Sequence, residues 1–269
     1  MRLIATDLDG TLLDSTSSVS PRTRAALDAA RARGIHVVPV TARQPIGLRT
    51  IAADAAFAGW ALCSNGAYAV HLTDGRMLFA EELPAETIRT LAEALRASIP
   101  GLLFASVRDA GETFVAEHGY AEIADLTDHK RDPKTMGGVP LDEVVSAPSL
   151  KFVIRHPELA PPVLYDALRA LDLDGFEATL SGAPFLEVMA EGVTKASGLA
   201  RLCMHLGIDR GDVIAFGDAL NDVEMLRWAG HGVAMADADD IVQDAADETT
   251  ASNDDDGVAR VIERILAIG

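Results

Sequence analysis

The chain has 269 residues, 49% hydrophobic and 24% charged, which is a globular composition long enough for one large domain or two lobes and too long for a small stapled scaffold. Lys and Arg total 23 against 41 Asp and Glu, a formal net charge of -18, so most of the surface repels polyanions; neither a nucleic-acid partner nor an anionic membrane is expected. The two cysteines, Cys63 and Cys203, build no disulfide framework and show no metal-ligand spacing, which suits a reducing cytoplasm, and Cys203 reads as a small core hydrophobe.

In chain order, residues 3–6 read as a buried strand that Asp7 interrupts too early for a secretory signal, and no window approaches a membrane span. Ser20-Pro21 supplies an N-cap and a proline at the first helical position, and Gly34 closes that helix. Residues 35–40 are the next strand, although Pro39 lacks a donor and points to an edge or a ladder end. A helix over 46–57 and a strand over 60–63 follow, and Asn65-Gly66 turns the chain. A hairpin over 67–79, turning at Asp74-Gly75, leads to a helix whose Ile88, Leu91 and Leu95 share a face.

Then strands dominate: 102–107, 112–116, 151–155, 176–180 and 185–189 are short β candidates, with a helix over 162–171 and a polar loop over 128–140. From about 194 onward the alternation of strand and helix resumes. Leu199, Leu202, Cys203 and Leu206 form one helical face ended by Gly207, residues 213–216 are a core strand, and Val258, Val261, Ile262, Ile265 and Leu266 carry helical spacing. The two ends therefore read as one α/β domain, a parallel sheet wound with helices, with an inserted α+β lobe between them.

Four strand ends carry chemistry. Asp7-Leu8-Asp9-Gly10-Thr11 follows the first strand, and its two carboxylates project to one side about 6.6 Å apart. At an effective dielectric of about 20 that pair costs roughly 2.5 kcal/mol, which a hard cation such as Mg²⁺ would reverse. A hairpin turn at Asp9-Gly10 is the alternative. Calcium-loop spacing fails, because the sixth and twelfth positions hold Leu12 and Ser18, and glycine-rich nucleotide loops are missing.

Gly217-Asp218-Ala219-Leu220-Asn221-Asp222 mirrors the first cluster after the strand over 213–216, with an ordinary helix start, Asp218 as N-cap, as the alternative. Thr41-Ala42-Arg43 places a hydroxyl, backbone donors and a cation at a third strand end, or is a capping threonine with a surface arginine. Thr194-Lys195 begins a helix, where lysine has the wrong sign for the macrodipole, so Lys195 either neutralises the carboxylates and binds phosphate or snorkels to solvent. It is one of only four lysines beside 19 arginines. Together these ends offer a nucleophilic carboxylate, a proton donor, a divalent ion and groups for a transferring phosphoryl.

In these motifs the chain resembles the haloacid dehalogenase-like phosphohydrolases, specifically their Cof-like subgroup, which Ser64-Asn65-Gly66-Ala67 and Val233-Ala234-Met235 also match. The resemblance covers nearly the whole chain. It implies a Rossmann-like parallel-sheet core, discontinuous over 1–82 and 192–269, with an inserted α+β cap domain over 83–191. It also implies that Asp7 attacks phosphorus to form an aspartyl phosphate and that Asp9 serves as acid and then base. Mg²⁺ would be held by Asp7, the Asp9 carbonyl and Asp218, with Asp222 behind them, and phosphate by Leu8, Thr41, Ala42, Lys195 and Asn221. Ala42 in place of a frequent glycine, Thr194 in place of serine, and Ala236-Asp237 in place of Gly-Asn are departures that leave the phosphate-loop geometry open.

The function expected is Mg²⁺-dependent hydrolysis of a small phosphorylated metabolite, such as a sugar phosphate or pyridoxal phosphate, by a cytoplasmic monomer or homodimer. Arg43, Asn65, Lys151 and Glu187 are the candidate leaving-group contacts, with Lys151 and Glu187 alternatively exposed strand residues. A phosphomutase, a receiver-like module and a catalytically silent phospho-ligand binder are the competing functions.

Overall fold

The computed structural model of the protein describes residues 1–268. The first stretch of chain forms β1 (Leu3–Thr6), α1 (Pro21–Ala32), β2 (His36–Pro39), α2 (Pro45–Asp54), β3 (Trp60–Cys63), β4 (Tyr68–His71) and β5 (Met77–Ala80). The middle forms α3 (Ala85–Ser98), β6 (Leu103–Arg108), β7 (Thr113–Ala116), α4 (Leu126–His129), α5 (Leu141–Val144), β8 (Lys151–Arg155), α6 (Pro161–Arg169), β9 (Phe176–Thr179) and β10 (Leu186–Ala190). The last stretch forms α7 (Lys195–Leu206), β11 (Val213–Gly217), α8 (Val223–Trp228), β12 (His231–Ala234), α9 (Asp240–Gln243), β13 (Glu248–Thr249) and α10 (Gly257–Ile268). Among the described residues no helix is long and apolar enough to cross a membrane. The chain divides into two compact units, one made of Met1–Ala42, Leu48–Phe79 and the chain from Thr194, the other of Arg43–Gly47 and Ala80–Val193.

The first unit is built on a sheet of order β13-β12-β11-β1-β2 whose neighbours all run parallel. β1 is an interior strand, in register with Val213 to Phe216 on one side and His36 to Pro39 on the other, and all four of its residues are buried. A strand covered on both faces has no polar side, which is why the sequence there is an unbroken apolar run up to Thr6. α7 lays Leu199, Leu202 and Cys203 against Ala5, Val38 and Ala215 in one core cluster, while α1 packs on α10. Pro39 ends β2, and the chain continues past it to a parallel bridge between Val40 and Leu62, where β3-β4-β5 begins. Ser20 caps α1 by accepting from Thr23 N, as its position before Pro21 dictates.

The second unit is an antiparallel sheet of order β7-β6-β8-β10-β9 with α3 and α6 packed together on one face. Ile88, Leu91, Leu95, Leu164 and Leu168 meet Phe104, Phe152, Ile154, Leu186 and Val188 there. Phe104 and Phe152 stack with ring centroids 5.3 Å apart and planes 9° from parallel. Residues 128–140, expected as a loop, instead begin inside α4 and include a 3-10 turn at Pro133–Thr135. His129 is buried there against Phe114 and Phe185 and shares a 2.7 Å hydrogen bond with Tyr120 Oη. Burial, and then the Lys151 charge, push its imidazole down to about 2, so it sits in the unit neutral. A four-residue helix has no period to read, and a histidine in a polar run gives no sign of burial.

Because both rings are fully buried, Phe152→Ala is expected to lower the unfolding free energy of the second unit by roughly 3–5 kcal/mol, measured by urea denaturation.

Candidate active site

Parallel pairing brings three strand ends of the first unit side by side. Asp7 N donates to Phe216 O at 3.0 Å and Val40 N to Thr6 O at 2.8 Å, so the residues after β1, β2 and β11 leave the sheet at one edge. This is the carboxyl edge, where open α/β sheets bind ligands. The chain after β1 makes no hairpin. Gly10 adopts φ +82°, and a Cβ there would lie 2.3 Å from Asp218 Oδ2, so both the turn and the approach of the second acidic loop require glycine.

One oxygen from each of Asp7, Asp218 and Asp222 lies within 4.8 Å of the others. At an effective dielectric of about 20, each such pair of full charges costs about 3.5 kcal/mol. The cation that answers them is Lys195, whose Nζ lies 2.8 Å from Asp7 Oδ1 and 2.7 Å from Asp222 Oδ1. α7 delivers it: Thr194 caps the helix by accepting from Ser197 N at 3.2 Å, and Ser197 Oγ accepts from Thr194 N at 2.9 Å, which fixes Lys195 as the first helical residue. Its side chain is buried, which removes the snorkelling alternative.

Asp222 is fully buried, and its second oxygen accepts from the amides of Asp218 at 3.2 Å and Ala219 at 3.1 Å. A helical turn does start here, at Leu220–Asp222, but with Ala219 and not Asp218 as its N-cap: Asp222 receives the loop amides, and Asp218 is left to face Asp7. Thr11 Oγ1 donates to Asp218 Oδ1, a bond that no spacing rule in the sequence announces.

One ammonium does not balance three carboxylates. Burial above all holds the Asp7 carboxyl well above its usual range despite Lys195, and Asp222 and Asp218 add to the effect. Asp218 is pushed up to about 6, by burial first and by the Asp222 charge second, against the Thr11 hydrogen bond and Lys195. Burial alone would lower Lys195, but Asp222 and Asp7 outweigh it and keep the amine above its ordinary value.

The remaining sequence-derived candidates fall into two groups. Leu8 and Thr41 are buried at the same edge, with Ala42 beside Thr41, while the Asp9 side chain is exposed and outside the carboxylate cluster. Asn221 Nδ2 donates to Asn65 Oδ1 at 3.0 Å, and Asn65 is 1% exposed, so it stands behind Asn221 and not on an open surface. Arg43, Lys151 and Glu187 belong to the second unit. Arg43 donates to Gly47 O, and Lys151 and Glu187 are a buried ion pair between β8 and β10, so neither is an exposed strand residue.

A model of the haloacid dehalogenase-like hydrolases matches residues 4–262. The chain is similar to 5-amino-6-(5-phospho-D-ribitylamino)uracil phosphatase YcsE of Bacillus subtilis (strain 168), 29% identical over 266 residues covering 97% of this chain and 94% of that protein. It is also similar to pyridoxal phosphate phosphatase YbhA of Escherichia coli (strain K12), 30% identical over 270 residues and 97% of each. A solved haloacid dehalogenase-like hydrolase from Bacteroides thetaiotaomicron matches with a TM-score of 0.78 and 31% identity over 98% of this chain and 99% of that one. The chain belongs to the haloacid dehalogenase-like hydrolase family, the one its four motifs pointed to.

Asp222→Ala strands a buried ammonium and two amides and is expected to cost roughly 3–5 kcal/mol in urea denaturation. An acid whose folded pKa is raised stabilises the fold below its unfolded pKa and loses that contribution as pH climbs through the folded value. Without a divalent ion the protein thus loses stability through Asp218 between about pH 4 and pH 6. Added Mg²⁺ is expected to raise Tm more at about pH 7.5 than at about pH 5, read by differential scanning fluorimetry.

Proposed function

We propose that this chain is a phosphoric monoester hydrolase that cleaves a small phosphorylated metabolite through an aspartyl phosphate on Asp7, with Mg²⁺ as its cofactor. The observation that carries the reading is the cluster of buried Asp7, half-buried Asp218 and buried Asp222 beside Lys195, a site short of positive charge at the ligand edge of a parallel sheet. Two similar proteins are named for phosphatase activity on different small phosphate esters, which supports the class of substrate and leaves its leaving group open.

The donor set suits a hard cation: oxygens only, from carboxylates and a carbonyl, at a place where burial and neighbouring carboxylates raise Asp7 and Asp218. Asp7, Asp218 and the Asp9 carbonyl would hold it, with Asp222 already committed to Lys195 and the loop amides and acting on it as charge from behind. Bound there, Mg²⁺ supplies charge that ionises Asp7 and offsets the phosphoryl oxygens.

Asp7 Oδ attacks phosphorus as the bond from phosphorus to the ester oxygen breaks, and the Asp9 carboxyl, exposed towards solvent, gives its proton to the departing alkoxide. Asp9 then takes a proton from water, whose oxygen attacks phosphorus and breaks its bond to Asp7, releasing inorganic phosphate. Lys195 holds Asp7 in place and, with Thr41, Asn221 and the amides after Asp7, faces the phosphoryl oxygens. Cytoplasmic location, supported by two buried free cysteines, and a monomeric or homodimeric state complete the reading.

Phosphate release from a panel of sugar phosphates, pyridoxal phosphate and phosphorylated ribityl compounds is expected from the wild type with Mg²⁺, and at least 10³-fold less with EDTA or with Asp7→Asn. Equal turnover by Asp7→Asn, or turnover indifferent to EDTA, would remove the mechanism.

A further inference from the structure

Ser64, Asn65 and Gly66 have φ values of +51°, +56° and +90°, three consecutive left-handed residues of which two carry a Cβ. Each such non-glycine residue is strained and persists only where its surroundings hold it. Asn tolerates this region through its short polar side chain, whereas serine does so less readily. Ser64 is also fully buried, and its hydroxyl oxygen has no hydrogen-bond partner among the described residues. A turn with two such burdens needs a reason beyond reversing the chain between β3 and β4.

The turn reaches three of the segments to which phosphate binding is assigned. Asn65 N donates to Thr41 O at 3.0 Å, while Thr41 N donates to Leu62 O of β3 at 2.9 Å, so the turn and the strand before it together hold both backbone polar groups of Thr41. Asn65 Oδ1 accepts from Asn221 Nδ2 at 3.0 Å. A Cβ on Gly66 would lie 2.4 Å from Thr194 O, and one on Gly198 would lie 2.7 Å from Gly66 Cα, so the turn is seated against the first turn of the helix that carries Lys195. These contacts come from three stretches of chain far apart in sequence, and Asn65 makes two of them directly.

From this geometry we infer that Asn65 is a positioning residue: it acts through Asn221 and Thr41 to aim their donors at the phosphoryl group, and does not itself touch the leaving group. This inference rests on the proposed hydrolase reading. The Asn221 amide nitrogen carries two hydrogens; Asn65 takes one, which fixes the amide plane and directs the other. The left-handed backbone is what turns Asn65 Oδ1 and Asn65 N in the two required directions at once, so the strain is spent on alignment.

Asn65→Gly separates alignment from folding, because glycine adopts the same backbone without strain and only the amide is lost. With Mg²⁺ present, the dissociation constant of inorganic phosphate, measured by calorimetry, is expected to rise roughly tenfold in Asn65→Gly while the urea midpoint stays near the wild-type value. Asn221→Ala should weaken phosphate to a similar extent, and the double variant should be no weaker than Asn221→Ala alone, since both changes remove one device. The role is overturned if Asn65→Gly binds phosphate like the wild type, or if the two losses multiply. A wild type that neither hydrolyses the panel nor binds phosphate overturns the hydrolase reading as well, so the two failures are told apart by the wild-type measurement.

Discussion

The buried ammonium of Lys195, shared between Asp7 and Asp222, is the interaction on which the active edge depends. Taking a lysine out of water is costly, and a buried ion pair seldom repays its desolvation by attraction alone. What this one achieves is placement. It ties the end of β1 to the loop after its neighbour, and it holds two carboxylates closer together than they would stand unaided. The remaining imbalance is left at Asp7 and Asp218, whose carboxyls are raised. A site in that condition favours any ligand that brings positive charge, and through it an anion.

Support for that arrangement is built from backbone as much as from side chains. Gly10 lets the Asp218 loop approach, and Gly66 and Gly198 let the left-handed turn and α7 touch. The same left-handed turn recurs in the second unit at Asp109, Ala110 and Gly111, with φ values of +52°, +57° and +90°, between β6 and β7. There its first two residues are open to solvent or half-buried, so its strain is not tied to a polar network like that at Asn65. That turn too is closely seated, since a Cβ on Gly111 would lie 2.6 Å from Pro45 Cδ, but at Asn65 the same backbone also carries a polar link to Asn221.

Much of this was legible in the sequence, and the reasons are specific. The unbroken apolar runs at 3–6 and 213–216 mark strands covered on both faces, and each ends on acidic residues, so adjacency of β1 and β11 suffices to join the two clusters. Lys195 stood out because its sign is wrong for a helix start. What the sequence could not disclose was which carboxylate is spent on structure: Asp218 and Asp222 are alike in type, and only the fold turns Asp222 back onto the loop amides. Asn65 presented as a turn residue, because nothing in a dipeptide shows that its amide faces Asn221. Lys151 and Glu187, on separate strands, gave no sign of a mutual partner until antiparallel register set them together.

The order of the chain also has a consequence for synthesis. β1 is an interior strand of its sheet, yet its partner β11 lies more than two hundred residues later, beyond the entire second unit. At about 5–20 residues per second the ribosome leaves one edge of that strand without its mate for roughly 10–40 s. During that interval the second unit, whose strands pair among themselves, already has all of them, while Asp7 waits in an unfinished sheet. Birth of the carboxylate cluster is therefore a late event, closed by the arrival of residues 213–222.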